Sequence, residues 1–187
     1  MFHEFFTSVV FTEENILQYI KIMLGVKKMS RTMTNRRIFR TLARDNCGES
    51  MEPGEEEIMY FGYKPNDLKK EGPAISCASL KLADVSCTDS KKDEFYHWIT
   101  FLFVYRDFKG FGYGKQFVEY LDVEAMNLIR RPVRTESAYK AVGFFKKCGF
   151  KKIAEPRECV AGSSLFRFLY LMEKEPRVIE VECWDSD

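Results

Sequence analysis

Residues 95–105 read FYHWITFLFVY, the most continuously apolar run in a chain of 187 residues. Within it, residues 98–105 are interrupted only by Thr100, far short of the ~20 residues that cross a bilayer. A run of this length suits a central β-strand buried on both faces. Shortly after it come Lys109-Gly110-Phe111-Gly112-Tyr113-Gly114-Lys115, then Phe117, Val118, Leu121, Ala125, Leu128 and Ile129 at helical spacing. A buried strand that hands over to an amphipathic helix through three alternate glycines constrains the fold more than any other feature.

The other elements follow from periodicity and turn residues. Residues 2–11 predict a first strand, and Thr12 with Glu13 and Glu14 starts a helix by capping its free amides and complementing its dipole. Ile16, Leu17, Ile20, Met23 and Leu24 continue that helix, and Gly25 stops it. A basic second helix begins near Thr34, carries Ile38, Phe39, Leu42 and Ala43 on one face, and ends near residues 46–48. Strands are expected at residues 58–63, 74–82, 132–136, 150–154 and 165–172 besides the central one, with a further helix over 138–148 closed by Gly149. The order βααβββαβαββ describes one mixed-sheet α/β domain over residues 1–175, followed by an acidic tail, 176–187.

Composition narrows the function classes. With 29 Lys+Arg against 28 Asp+Glu the net charge is +1, which argues against a general electrostatic grip on nucleic acid or an anionic membrane. The N-terminus lacks a basic n-region and carries Glu4 inside its apolar stretch, so it does not read as a targeting peptide. Six cysteines lie far apart with no CxxC, so neither zinc nor a disulfide framework is indicated, and reduced thiols in the cytoplasm are expected. The unusual number is 17 Phe, with aromatics at 15% of the chain; a thick aromatic core or an aromatic pocket is expected.

Glycines at 110, 112 and 114 let the backbone adopt conformations closed to other residues and let a ligand approach the amides. Together with the unpaired N–H groups of a helix start they make an anion site, for which a phosphate or pyrophosphate is the expected ligand. A dinucleotide fingerprint needs G-x-G-x-x-G, and here the third glycine comes one residue early. A Walker loop needs G-x-x-x-x-G-K-[ST]; Gly110 to Gly114 is one residue short and Gln116 stands where the hydroxyl should be. The remaining alternative is a tight turn without a ligand, but three glycines carry an entropy cost that a plain connection does not require.

Val104-Tyr-Arg-Asp-Phe-Lys-Gly-Phe-Gly-Tyr-Gly114 resembles the pyrophosphate loop of the GNAT superfamily of N-acetyltransferases, Arg/Gln-x-x-Gly-x-Gly/Ala after a strand ending in valine. Ala141-Val-Gly-Phe-Phe-Lys-Lys-Cys-Gly-Phe150 is similar to the family's helix-to-strand segment A-x-x-L-Y-x-K-x-G-F. The resemblance covers residues 58–173 well and the preceding elements loosely. It implies a mostly antiparallel sheet of about seven strands with a parallel splayed pair and four helices, and transfer of an acetyl group from acetyl-CoA to a primary amine by direct attack in a ternary complex. By position, the amides of Lys109, Gly110, Phe111, Gly112, Tyr113, Gly114 and Lys115 would hold the pyrophosphate. The backbone of Leu102, Phe103 and Val104 would pair with the pantetheine, and Phe145 would lie beside the cofactor. Lys115, Lys146 and Lys147 are candidates for the 3′-phosphate, and the last strands leave a homodimer open.

The chemistry departs from the family pattern. The tyrosine often credited with protonating the departing thiolate aligns with Phe145, which has no proton to give. Tyr139 is a substitute donor, and Glu136 a base acting through water, each weighed against an ordinary surface or packing role. The central-strand positions where a base is frequent hold Leu102, Thr100 and Trp98; His97 points to the other face, and Cys148 reads as core filler. A catalytically weak acyl-CoA-binding module on the same scaffold is therefore the alternative.

Overall fold

A computed structural model describes residues 25–64, 72–158 and 167–176. The expected first strand, most of the first helix and the tail beyond Pro176 lie outside the described residues. Eight strands form one open sheet: β1 (Gly25–Met29), β2 (Ile58–Tyr63), β3 (Ser76–Lys81), β4 (His97–Val104), β5 (Val133–Ala138), β6 (Lys151–Lys152), β7 (Arg157–Glu158) and β8 (Phe168–Lys174). Their order is β1-β2-β3-β4-β5-β8-β6, with β7 also on β8. Among the described residues there are three α-helices: α1 (Met33–Cys47), α2 (Tyr113–Met126) and α3 (Val142–Lys147). The sheet is mostly antiparallel with one parallel pair, as the sequence predicts, and one strand richer than the expected seven.

The chain divides into two compact units. Of the described residues, the first comprises 25–52, 59–64, 72–78 and 102–123. Gly25, expected to end a helix, is instead the first residue of β1, which pairs antiparallel with β2 from Gly25↔Tyr63 to Met29↔Met59. In α1 the Thr32 hydroxyl accepts the Asn35 N–H at 3.2 Å. At the other end Gly48 takes φ 78° and donates its N–H to the Arg44 carbonyl, the left-handed stop that glycine permits. Phe39, Leu42, Ala43 and Cys47 form the buried face of α1, and the Phe39 ring meets Phe103 edge-on at 6.1 Å. Burying one such phenylalanine stabilises the unit by roughly 1.5–3 kcal/mol. Tyr120 of α2 meets Tyr60 of β2 in the same way at 5.8 Å.

Of the described residues, the second unit comprises 53–58, 79–101, 124–158 and 167–176. Its longest ladder is β5 against β8, antiparallel from Val133↔Lys174 to Ala138↔Leu169. The register places Arg134 opposite Glu173, and the pair closes at 2.7 Å; the Arg134 guanidinium also lies 3.1 Å from the Tyr96 ring centre. The strand expected at residues 150–154 is broken: Lys151–Lys152 and Arg157–Glu158 each pair with β8, while residues 153–156 bulge between them.

Strand β4 corrects one expectation. It is not buried on both faces: His97, Ile99 and Phe103 are buried, whereas Thr100 is exposed and Trp98, Leu102 and Val104 are half-buried. Alternation along the strand puts these two sets on opposite faces. The parallel ladder to β5 is short, with His97↔Val133 and Trp98↔Arg134 as its rungs.

His97 is fully buried and both its ring nitrogens are engaged. Nδ1 accepts the Ala83 N–H at 3.1 Å, and Nε2 lies 2.9 Å from the Ile129 carbonyl, which only an N–H can satisfy. The neutral imidazole thus pins two loops to the start of β4. Replacing it by leucine leaves a buried N–H and a buried carbonyl without partners, so His97→Leu is expected to lower stability by about 2–5 kcal/mol. Thermal or urea unfolding checks this, and a loss under 1 kcal/mol would remove the structural role.

Candidate functional site

The junction from β4 to α2 is built from a strand end, a 3-10 turn and a glycine loop, all within the first unit. Strand β4 ends at Val104, where the Tyr105 N–H still donates to the Ile75 carbonyl at 2.8 Å. The chain then makes a 3-10 turn at Arg106–Phe108. No local side chain caps that turn; Asp45 of α1 supplies the cap from 61 positions away, its Oδ2 accepting the Arg106 N–H at 3.3 Å. The Phe108 N–H returns to the Tyr105 carbonyl and the Lys109 N–H to the Arg106 carbonyl, at 2.9 and 3.2 Å.

Beyond Lys109 the pattern changes. Gly110 and Gly112 take φ 88° and 83°, a region that non-glycine residues enter only at a cost. A Cβ at either would meet nothing within 4 Å, so the backbone conformation, and not crowding, demands glycine. Gly114 has no positive φ and belongs to the first turn of α2. The first helical bond of α2 runs from the Gln116 N–H to the Gly112 carbonyl at 3.1 Å. Among the described residues the N–H groups of Gly110, Phe111, Gly112, Tyr113, Gly114 and Lys115 make no hydrogen bond. These six successive amides lie at the positive end of a helix dipole, where free N–H donors favour an anion.

Charge and aromatic rings surround this row. Lys109 and Lys115 are exposed, and Lys115 reaches Glu119 on α2 at 3.8 Å. Phe111 is 68% exposed and stacks on Tyr113 at 6.3 Å. Phe108 lies 6.5 Å from Tyr113 and carries the Lys64 ammonium 4.6 Å over its ring. Leu102, Phe103 and Val104 stand on the last part of β4, past the parallel ladder to β5.

The candidates for chemistry lie in the second unit. Glu136 projects from β5 and both its oxygens accept from Arg157 Nη2, at 2.8 and 2.9 Å. Tyr139 follows β5 in a 3-10 turn, 71% exposed, with Tyr170 at 6.1 Å. Phe145 is buried between Phe144 and Phe150, at 5.1 and 5.3 Å. Cys148 is likewise buried, and Lys146 and Lys147 are exposed on the last turn of α3. Cys47, Cys77, Cys87 and Cys148 are free, and burial pushes the Cys77 thiol well above its ordinary range. Among the described residues no group of three or more His, Cys, Asp or Glu side chains is placed to hold a metal, and no helix is long and apolar enough to cross a membrane.

Sequence reading missed two partners. Asp45 as a cap for the loop's first turn has no local signal, since its spacing along the chain carries no pattern. Arg157 as the partner of Glu136 depends on β5 and β7 both bordering β8, which periodicity does not disclose.

Residues 85–172 match the family model for an acetyltransferase (GNAT) domain. Comparison of the sequence with curated proteins found no match. Among solved structures, the ribosomal-protein-S18-alanine N-acetyltransferase from Escherichia coli has a TM-score of 0.60 and 12% identity, covering 85% of this chain and 99% of that one. An acetyltransferase from Bacillus subtilis in complex with CoA gives 0.56 at 14% identity, over 81% and 98% of the two chains. A GNAT family acetyltransferase from Elizabethkingia anophelis with acetyl-CoA bound gives 0.56 at 12% identity, over 82% and 98%. At such identities the structural likeness speaks for the fold. Residues 85–172, just under half of the chain, are thus similar in sequence to a GNAT acetyltransferase domain, and the fold is GNAT-like.

Proposed function

We propose that the protein is an acetyl-CoA-dependent N-acetyltransferase acting on a primary amine, either of a small molecule or of a protein lysine or N-terminus. The observation that carries this reading is the row of unpaired amides from Gly110 to Lys115. A pyrophosphate suits them: its oxygens are anionic acceptors and the amides are fixed donors. Lys109 and Lys115 add point charges, and the backbone of Leu102, Phe103 and Val104 offers the pantetheine amides a strand to pair with. CoA-bound GNAT structures among the relatives support the same choice of cosubstrate.

Acetyl-CoA supplies an activated thioester. The amine nitrogen attacks its carbonyl carbon, the C–S bond breaks, and the nitrogen's surplus proton and the thiolate leave. Holding amine and thioester in attack geometry contributes at most ~7–11 kcal/mol to lowering the barrier. That is enough for side chains to have modest roles. Phe145, held in an aromatic cluster, has no proton to give, so the thiolate takes its proton from water or from Tyr139, whose hydroxyl stands in solvent. Glu136 is clamped by Arg157 and acts as a base only through a bridging water. We place the reaction in the cytoplasm, where widely spaced cysteines stay reduced.

A second reading, an acyl-CoA-binding module with little turnover, is favoured by one observation: Phe145, packed between Phe144 and Phe150, where the resemblance would put a donor tyrosine. Calorimetry with acetyl-CoA followed by thiol release over a panel of amines separates the two. Turnover on any primary amine establishes the first reading; micromolar binding without turnover on all of them establishes the second.

Gly112→Val forces a β-branched residue to positive φ. It is expected to weaken CoA binding by about tenfold to a hundredfold, corresponding to roughly 1–3 kcal/mol of strain. Unchanged affinity would refute the loop assignment. If positioning dominates, Glu136→Gln and Tyr139→Phe each lower kcat by less than about a hundredfold, the lower end of what acid–base catalysis contributes. A thousandfold loss in either, with KM unchanged, would make that residue the proton carrier.

A further inference from the structure

Helix α1 presents a second anion-binding feature, independent of the glycine loop. Arg37, Arg40 and Arg44 recur at i, i+3 and i+7 and so share one helix face over about 10 Å of axis. With Thr41 and Ser50 they line a cavity of about 370 Å³, within the ~300–1,000 Å³ range of small-ligand sites. No acidic side chain lines it. The Thr41 hydroxyl donates to the Arg37 carbonyl at 2.9 Å, which fixes that wall.

Neighbouring arginines show that this helix holds carboxylate oxygens. Arg36 Nε lies 3.3 Å from Glu52 Oε2, its Nη2 pairs with Oε1, and Arg40 Nε reaches Oε2 at 3.7 Å. The Arg36 hydrogen bond holds the Glu52 carboxyl below its ordinary range. That clamp draws Arg40 toward Glu52, while the guanidinium groups of Arg37 and Arg44 make no ion pair among the described residues. Asp45, next to Arg44, is engaged by the Arg106 N–H. The basic residues of α1 are all arginine, the side chain whose planar fork matches phosphate oxygens two at a time. Three guanidiniums over two turns outnumber what one carboxylate can satisfy. The cavity also lacks the aromatic platforms on which single-stranded nucleic acids stack.

We infer that the pocket formed by Arg37, Arg40, Arg44 and Ser50 binds a small anion carrying two or more phosphates. Calorimetry of the full chain with sodium tripolyphosphate at physiological salt tests it. The expected result is a site with a Kd on the order of 10 μM that is distinct from any binding at the glycine loop, since surface attraction alone is screened under these conditions. The Arg37→Ala/Arg44→Ala double variant is expected to lose about a hundredfold, and Arg37→Lys/Arg44→Lys to recover only part of it. Circular dichroism confirms that both variants fold. Binding at this site persists in the Gly112→Val variant, which separates it from the glycine loop whether or not the loop binds CoA. The inference is overturned by no binding, by loss in Gly112→Val with retention in the double alanine variant, or by full recovery with lysine. A single-stranded oligonucleotide of equal charge that outcompetes tripolyphosphate would also overturn it, in favour of a nucleic-acid surface.

Discussion

Six consecutive backbone amides without partners among the described residues, from Gly110 to Lys115, are the constraint around which the first unit is arranged. Amides in that condition are tolerable only in solvent or against a ligand, because burying them unpaired costs about 1–3 kcal/mol each. The surroundings keep them presented. Strand β4 delivers the chain, Asp45 caps the 3-10 turn, and the positive φ of Gly110 and Gly112 turns the backbone before α2 begins. Phe39 of α1 packs on Phe103 and anchors the strand end from below. A strained loop on a rigid support is what preorganised anion binding requires.

The phenylalanine excess then finds several places. Phe39 and Phe103 belong to the core of the first unit, Phe108 and Phe111 flank the loop, and Phe144, Phe145 and Phe150 form a cluster in the second unit. Phe111 is the most exposed of these, beside the amides of the loop, while Phe108 and Phe144 are half-buried. The same composition thus supplies stiffness in the cores and an apolar rim at the candidate site. At Phe145 packing against Phe144 and Phe150 leaves a side chain with no proton to give.

The strand–loop–helix junction was legible because each part has a local cause: apolar continuity for β4, alternate glycines for the turn, helical spacing for α2. Helix α1 was legible for the same reason, with its apolar face and its glycine stop both in the sequence. Long-range geometry was not. Gly25 read as a helix stop because glycine is permissive in either context, and pairing with β2 decides for strand. The half-exposed face of β4 was missed because an apolar run does not state which neighbours cover it. The capping of Arg106 by Asp45, the clamp of Arg157 on Glu136 and the two-sided hold on His97 join residues with no pattern between them.

The central claim is that the unpaired amides of the glycine loop are where CoA is held. Hydrogen exchange resolved to single amides, measured on the full chain with and without saturating CoA, addresses it most directly. If the loop holds CoA, the amides of residues 110–115 exchange freely without CoA and slow by at least about tenfold with it, as expected when exposed N–H groups gain bound acceptors. Protection elsewhere, with these six unchanged while CoA is demonstrably bound, would contradict it.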